Sequence, residues 1–102
     1  MSESGVFRVE IDRDFDTVAP EYLSSRCSEC RLILDLLAED RFDDIRIIGH
    51  RMKGTGGSYG FDGISEIGER LEAAALAHNA DAIRLAVSSL QAYLEGVVVD
   101  YV

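Results

Sequence analysis

At 102 residues, 47% hydrophobic and 28% charged with a single proline, the chain has the composition of one globular domain and is too short for a complete kinase. A formal net charge of -9 excludes DNA and RNA as expected partners, because binding a phosphate backbone depends on clustered Lys and Arg. No apolar run approaches the roughly 20 residues that cross a bilayer, and Met1-Ser2-Glu3-Ser4-Gly5 has neither the basic nor the apolar region of a leader. The expectation is a cytoplasmic protein with no membrane association.

In chain order, Phe7, Val9 and Ile11 alternate with polar residues and predict a short extended arm. Val18, Tyr22, Leu23, Leu32, Ile33, Leu36 and Leu37 then predict a helix from about Pro20 to Ala38, the proline sitting in its first turn. A second helix is expected after Asp40, read as its N-cap, with Asp43 and Asp44 at the positive end of the helix dipole and a finish near Gly60. Asp62 is the expected N-cap of a third helix striped by Ile64, Ile67, Gly68, Leu71, Ala74 and Ala75. Asn79 is the expected N-cap of a fourth, striped by Ile83, Ala86, Val87, Leu90, Leu94 and Val97. Val97-Val98-Val99, Tyr101 and Val102 close the chain on β-forming residues.

Four one-faced helices joined by short connections predict an all-α fold, an up-down-up-down antiparallel four-helix bundle. The whole of residues 1–102 is read as one domain, with the bundle at about 17–97 and terminal arms at 1–16 and 98–102. The sequence leaves three places for the arms: against the bundle, paired with each other, or in a dimer contact. A cover over the bundle end is the simplest.

Cys27 and Cys30 form a lone C-x-x-C inside a helical pattern, without the strand-helix context of a redox motif. A zinc site would need two further ligands, and His50 and His78 are far apart in sequence. His78 precedes Asn79 at a helix terminus, where interaction with the helix dipole is the expected role. No metal and no cofactor of the chain's own is expected.

The chemistry concentrates in His50-Arg51-Met52-Lys53-Gly54-Thr55-Gly56-Gly57-Ser58-Tyr59-Gly60. At about 100° per residue, Ile45, Ile48, Met52, Thr55 and Tyr59 fall opposite His50, whereas Arg46, Lys53, Gly54 and Gly57 lie within about 60° of it. The imidazole is therefore expected to face solvent, with a cation three residues on. Six of the nine glycines fall between Gly49 and Gly63, although each in a helix interior costs about 0.8 to 1 kcal/mol relative to alanine. Gly54 and Gly57 would leave a bare strip where a second protein can approach, bordered by Arg51 and Ser58, while Gly56 lies nearer the core. Arg41, Arg46, Arg51 and Lys53 make this part of an acidic chain locally basic, although Arg41 and Arg51 could equally pair with Asp43 or Asp44. Neither phosphate-loop pattern fits: Lys53 precedes the glycines, and G-x-G-x-x-G fails at Tyr59.

This run resembles the signature of the histidine-containing phosphotransfer (HPt) domain of bacterial multistep phosphorelays, H-x-[hydrophobic]-K-G-x-x-x-x-x-G, through His50, Met52, Lys53, Gly54 and Gly60. Leu71-Glu72 is similar to a recurring pair of that family, and the resemblance spans about residues 20–96. Gly49 stands where alanine is common and Met52 where leucine is usual; Gly49 is expected to loosen the helix before the histidine. The resemblance implies a four-helix bundle whose exposed histidine is phosphorylated at Nε2. It would exchange phosphoryl groups with aspartates of response-regulator receiver domains or receive them from a hybrid histidine kinase. His50 is then the phosphoacceptor, Lys53 steadies phosphoryl charge, and Arg46 is a possible helper. Gly54, Gly57, Arg51 and Ser58 would meet the partner, whose receiver domain is expected to hold Mg2+. The competing readings are a helical adaptor that binds without phosphorylation and a small metal or redox enzyme built on Cys27 and Cys30.

Overall fold

In a computed structural model that describes residues 6–102, the chain forms β1 (Phe7–Ile11), a 3-10 turn (Arg13–Phe15), α1 (Val18–Ala38), α2 (Phe42–Ser58), α3 (Asp62–Leu76), α4 (Ala80–Gly96) and β2 (Val97–Tyr101). Residues 1–5, the opening expected to lack the features of a leader, lie outside the described ones. Each helix packs on the next, and α4 returns to α1, which closes the four into an up-down-up-down bundle. The stripe predicted for α3 is buried in full, and Ile45, Ile48 and Met52 carry α2 into the same core. Along α1 the stripe was less regular: Val18 and Leu32 are 41% and 46% exposed, and Ala19 and Cys30 take the core positions instead.

One turn design serves all three connections. After α1, the Asp40 N–H bonds the Leu37 carbonyl and the Arg41 N–H reaches back to that of Leu36. Gly60 and Phe61 repeat the pattern on Gly57 and Gly56, as do His78 and Asn79 on Ala75 and Ala74. This is the Schellman arrangement, in which the residue after the C-cap adopts the left-handed conformation. Asp40 (φ 57), Gly60 (φ 92) and His78 (φ 52) do so. Arg41, Phe61 and Asn79 then serve as N-caps of the following helices.

That geometry corrects two expected caps. Asp40 is consumed in closing α1, so α2 starts from Arg41 without a side-chain cap. Asp62 is the first residue of α3, because Phe61 closes the preceding turn and is fully buried. Asn79 does cap α4, its side chain accepting from the Ala82 N–H at 3.1 Å. Helix α1 begins at Val18, two residues before the expected Pro20.

Of the three places open to the arms, the structure takes two at once: they pair with each other and lie as a cover against the bundle. β1 and β2 form a two-stranded parallel ladder in the register Phe7↔Val97 to Ile11↔Tyr101. Phe7, Val9, Ile11, Val97, Val99 and Tyr101 turn toward the core, while Arg8, Glu10, Val98 and Asp100 face outward. The alternation seen in the sequence is thus a strand with one covered face. The second strand starts at Val97, directly after α4, so the helical stripe runs out one residue earlier than expected.

Candidate functional site

Glycines set the distance between α2 and α3. A Cβ on Gly68 would overlap the Lys53 amide nitrogen and lie 2.8 Å from the Gly49 carbonyl oxygen. A Cβ on Gly49 would stand 2.7 Å from the Glu72 nitrogen. Gly49 therefore does not loosen the helix before the histidine, as expected from sequence; it is buried and lets the two backbones touch. This close approach brings Glu72 up to His50.

The His50 side chain is 69% exposed, and its Nδ1 lies 3.0 Å from Glu72 Oε2. The Glu72 side chain is only 18% exposed, so it acts as a fixed strut more than a mobile surface charge. A carboxylate only accepts hydrogen bonds, so Nδ1 carries the ring proton and donates it, which leaves the lone pair of neutral imidazole on Nε2. The other carboxylate oxygen of Glu72 is 3.8 Å from Lys53 Nζ. One side chain of α3 thereby aligns both the ring and the ammonium of α2.

The other expected site residues fall around this pair. A Cβ on Gly54 would meet no atom within 4 Å, and one on Gly57 would meet Ser65 Oγ and Asp62 Oδ1 at 3.5 and 3.6 Å, ordinary contact distances. Gly56 is buried and abuts α3. Arg51 and Ser58 are exposed, and the Ser58 hydroxyl is turned back onto the Gly54 carbonyl at 3.2 Å. Arg46 is half-buried; among the described residues neither it nor Arg51 forms an ion pair within 4.0 Å. Arg41 does, with Asp44 at 2.6 Å and Glu39 at 3.9 Å, and so belongs to the helix surface.

Two residues escaped the sequence reading as parts of the site. In the sequence Glu72 stands out only as half of the Leu71-Glu72 pair, because its reach to His50 depends on the α2–α3 register. Ser65 gave no signal at all, yet its hydroxyl donates to the Lys53 carbonyl at 2.8 Å and accepts from the Gly57 N–H at 2.7 Å.

Cys27 and Cys30 lie on α1, away from these groups, exposed and buried respectively. Burial pushes the Cys30 thiol up to about 11, with Cys27 and Glu29 adding to the shift. At pH 8 its thiolate fraction is then roughly a thousandth, far below that of a free cysteine of pKa about 8.5. A thiol-reactive disulfide reagent should titrate one cysteine in the native protein and two after denaturation, a count read directly from absorbance. His78, with its positive φ, stacks on Phe42 at a centroid distance of 4.3 Å in the turn before α4. Among the described residues no group of three His, Cys, Asp or Glu side chains is placed to hold a metal ion.

A four-helix bundle that presents a solvent-facing imidazole oriented through Nδ1 and flanked by a lysine has the build of a phosphotransfer module. The family model of the Hpt domain matches residues 7–98, and the chain belongs to that family. No curated protein and no solved structure matches it. Family membership implies histidine phosphotransfer in phosphorelays. No helix of the described residues is long and apolar enough to cross a membrane.

Proposed function

We propose that His50 is the phosphoacceptor of a relay, taking a phosphoryl group from the aspartate of a response-regulator receiver domain, or from a hybrid histidine kinase, and passing it on to another receiver. The observation that carries this reading is the pairing of His50 Nδ1 with Glu72 Oε2 at 3.0 Å, which turns the basic Nε2 outward. In the transfer the Nε2 lone pair forms the bond to phosphorus while the bond from phosphorus to the aspartyl oxygen breaks, its electron pair leaving on the partner's carboxylate. The proton on Nδ1 stays in place. The ring becomes cationic, and Glu72 offsets that charge. Lys53 lies where an ammonium can neutralise phosphoryl oxygens, with Arg46 one turn earlier as a second cation. Phosphoryl transfer asks mainly for positioning and charge neutralisation, so a bundle offering one nucleophile and one cation suffices when the partner contributes the aspartate and Mg2+.

Docking is assigned to the strip of Gly54 and Gly57 with Arg51 and Ser58 beside it. Ile47, 39% exposed and about 60° around α2 from His50, adds an apolar contact there. Gly54→Leu isolates this contribution, since the new side chain enters open space. Replacing glycine in a helix should raise stability by up to about 1 kcal/mol. The half-saturating concentration of phosphorylated receiver should meanwhile rise at least ten-fold; an unchanged value would move docking elsewhere.

The reading is tested by incubating the protein with radiolabelled phosphorylated receiver domains and mapping the label. Acid-labile phosphate on His50 supports the relay. Stable binding of receivers without any label would make the chain an adaptor.

A further inference from the structure

We propose that Ser65 is a positioning residue for Lys53, its hydroxyl holding the stretch of α2 that carries the ammonium. The inference rests on the relay reading of His50 and Lys53. In a helix the carbonyl of residue 53 and the N–H of residue 57 are partners in one i→i−4 bond. Here the Ser65 hydroxyl, reaching from α3, is bonded to both: it donates to the Lys53 carbonyl at 2.8 Å and accepts from Gly57 at 2.7 Å. One proton and two lone pairs allow both bonds at once, and a side chain entering the ladder opens a helix locally.

The place it enters is where α2 is weakest. Gly54, Gly56 and Gly57 give this turn the lowest helix propensity in the element, so its backbone has most freedom without an outside tie. Room for the tie comes from Gly56, where a Cβ would stand 2.5 Å from the Ser65 nitrogen and 2.8 Å from its hydroxyl oxygen. On the other side of Lys53, its amide nitrogen rests against Gly68. Both peptide groups of Lys53 are therefore held by α3, one through close packing and one through Ser65. Because the backbone fixes the direction of the Cα–Cβ bond, this tie sets where the ammonium starts from when it reaches Glu72, the carboxylate that also holds His50. Of the two residues whose backbone the hydroxyl ties, only Lys53 carries a side chain to aim, so its effect on the maximal transfer rate passes through Lys53.

The test is a double-mutant cycle of Ser65→Ala and Lys53→Ala, read as the maximal rate of transfer from phosphorylated receiver and the half-saturating receiver concentration. Each single variant should lower the maximal rate about ten-fold, with half-saturation within two-fold of wild type. The double variant should be no slower than Lys53→Ala alone, since a residue acting through another adds nothing once that other is gone. In Ser65→Ala the Gly57 amide proton resonance should also move as it changes acceptor. A Ser65→Ala rate within two-fold of wild type, losses that multiply in the double variant, or an unmoved Gly57 resonance each overturn the assignment while leaving the relay standing. Wild-type protein that takes no label removes the relay, and this role with it.

Discussion

His50→Ala should take up no acid-labile phosphate from a phosphorylated receiver domain, with the fold intact. The side chain is 69% exposed and belongs to no core contact, so the substitution should change stability by no more than about 0.5 kcal/mol. Glu72 and Lys53 keep each other as partners when the ring is removed. The chain's other histidine, His78, offers no substitute: it sits in the turn after α3, stacked flat on Phe42, with no lysine at i+3. Loss of label at an unchanged melting temperature is the expected pair of results. Label retained on the variant would sink the assignment of His50.

The second large effect concerns stability, and it sets two glycines of the same site against each other. Gly68→Ala would press a methyl group onto the Lys53 nitrogen, the Gly49 oxygen and the Met52 carbonyl carbon, all of them backbone atoms that cannot rotate aside. Overpacking of this kind costs about 3 kcal/mol, more than the roughly 1 kcal/mol that alanine gains over glycine in a helix. The net loss of about 2 kcal/mol should lower the melting temperature of a domain of this size by roughly 10 °C. Gly54→Ala, a change of the same chemistry on α2, meets no atom within 4 Å and should raise it slightly. Thermal unfolding of the two variants side by side checks both signs. Equal shifts would mean that α2 and α3 do not touch through Gly49 and Gly68.

The helical periods of α3 and α4 were legible because their buried faces follow a 3.6-residue stripe with few exceptions. On α4, Tyr93 is buried where the stripe pointed to its neighbour Leu94. The turns were legible only where chemistry announces them. Gly60 is an obvious left-handed residue, but Asp40 and His78 adopt the same conformation without being glycine, and Asp40 therefore read as the cap of the wrong helix. The pairing of the arms depends on where two distant segments meet, which no local pattern encodes. At the site, the outward face of His50 followed from the wheel of α2 alone. The Glu72 and Ser65 contacts belong to a register between two helices, and that register is fixed by absent side chains at Gly49, Gly56 and Gly68.

The parallel ladder also determines how the domain bears load. Its strands run the same way, so the chain enters beside Phe7 and leaves beyond Tyr101, at opposite ends of the pair. Tension between the two termini slides one strand along the other and strains every rung simultaneously, whereas an antiparallel hairpin pulled from its open end would unzip rung by rung. In tandem with other domains, this module would resist stretching at its seam before any helix is disturbed.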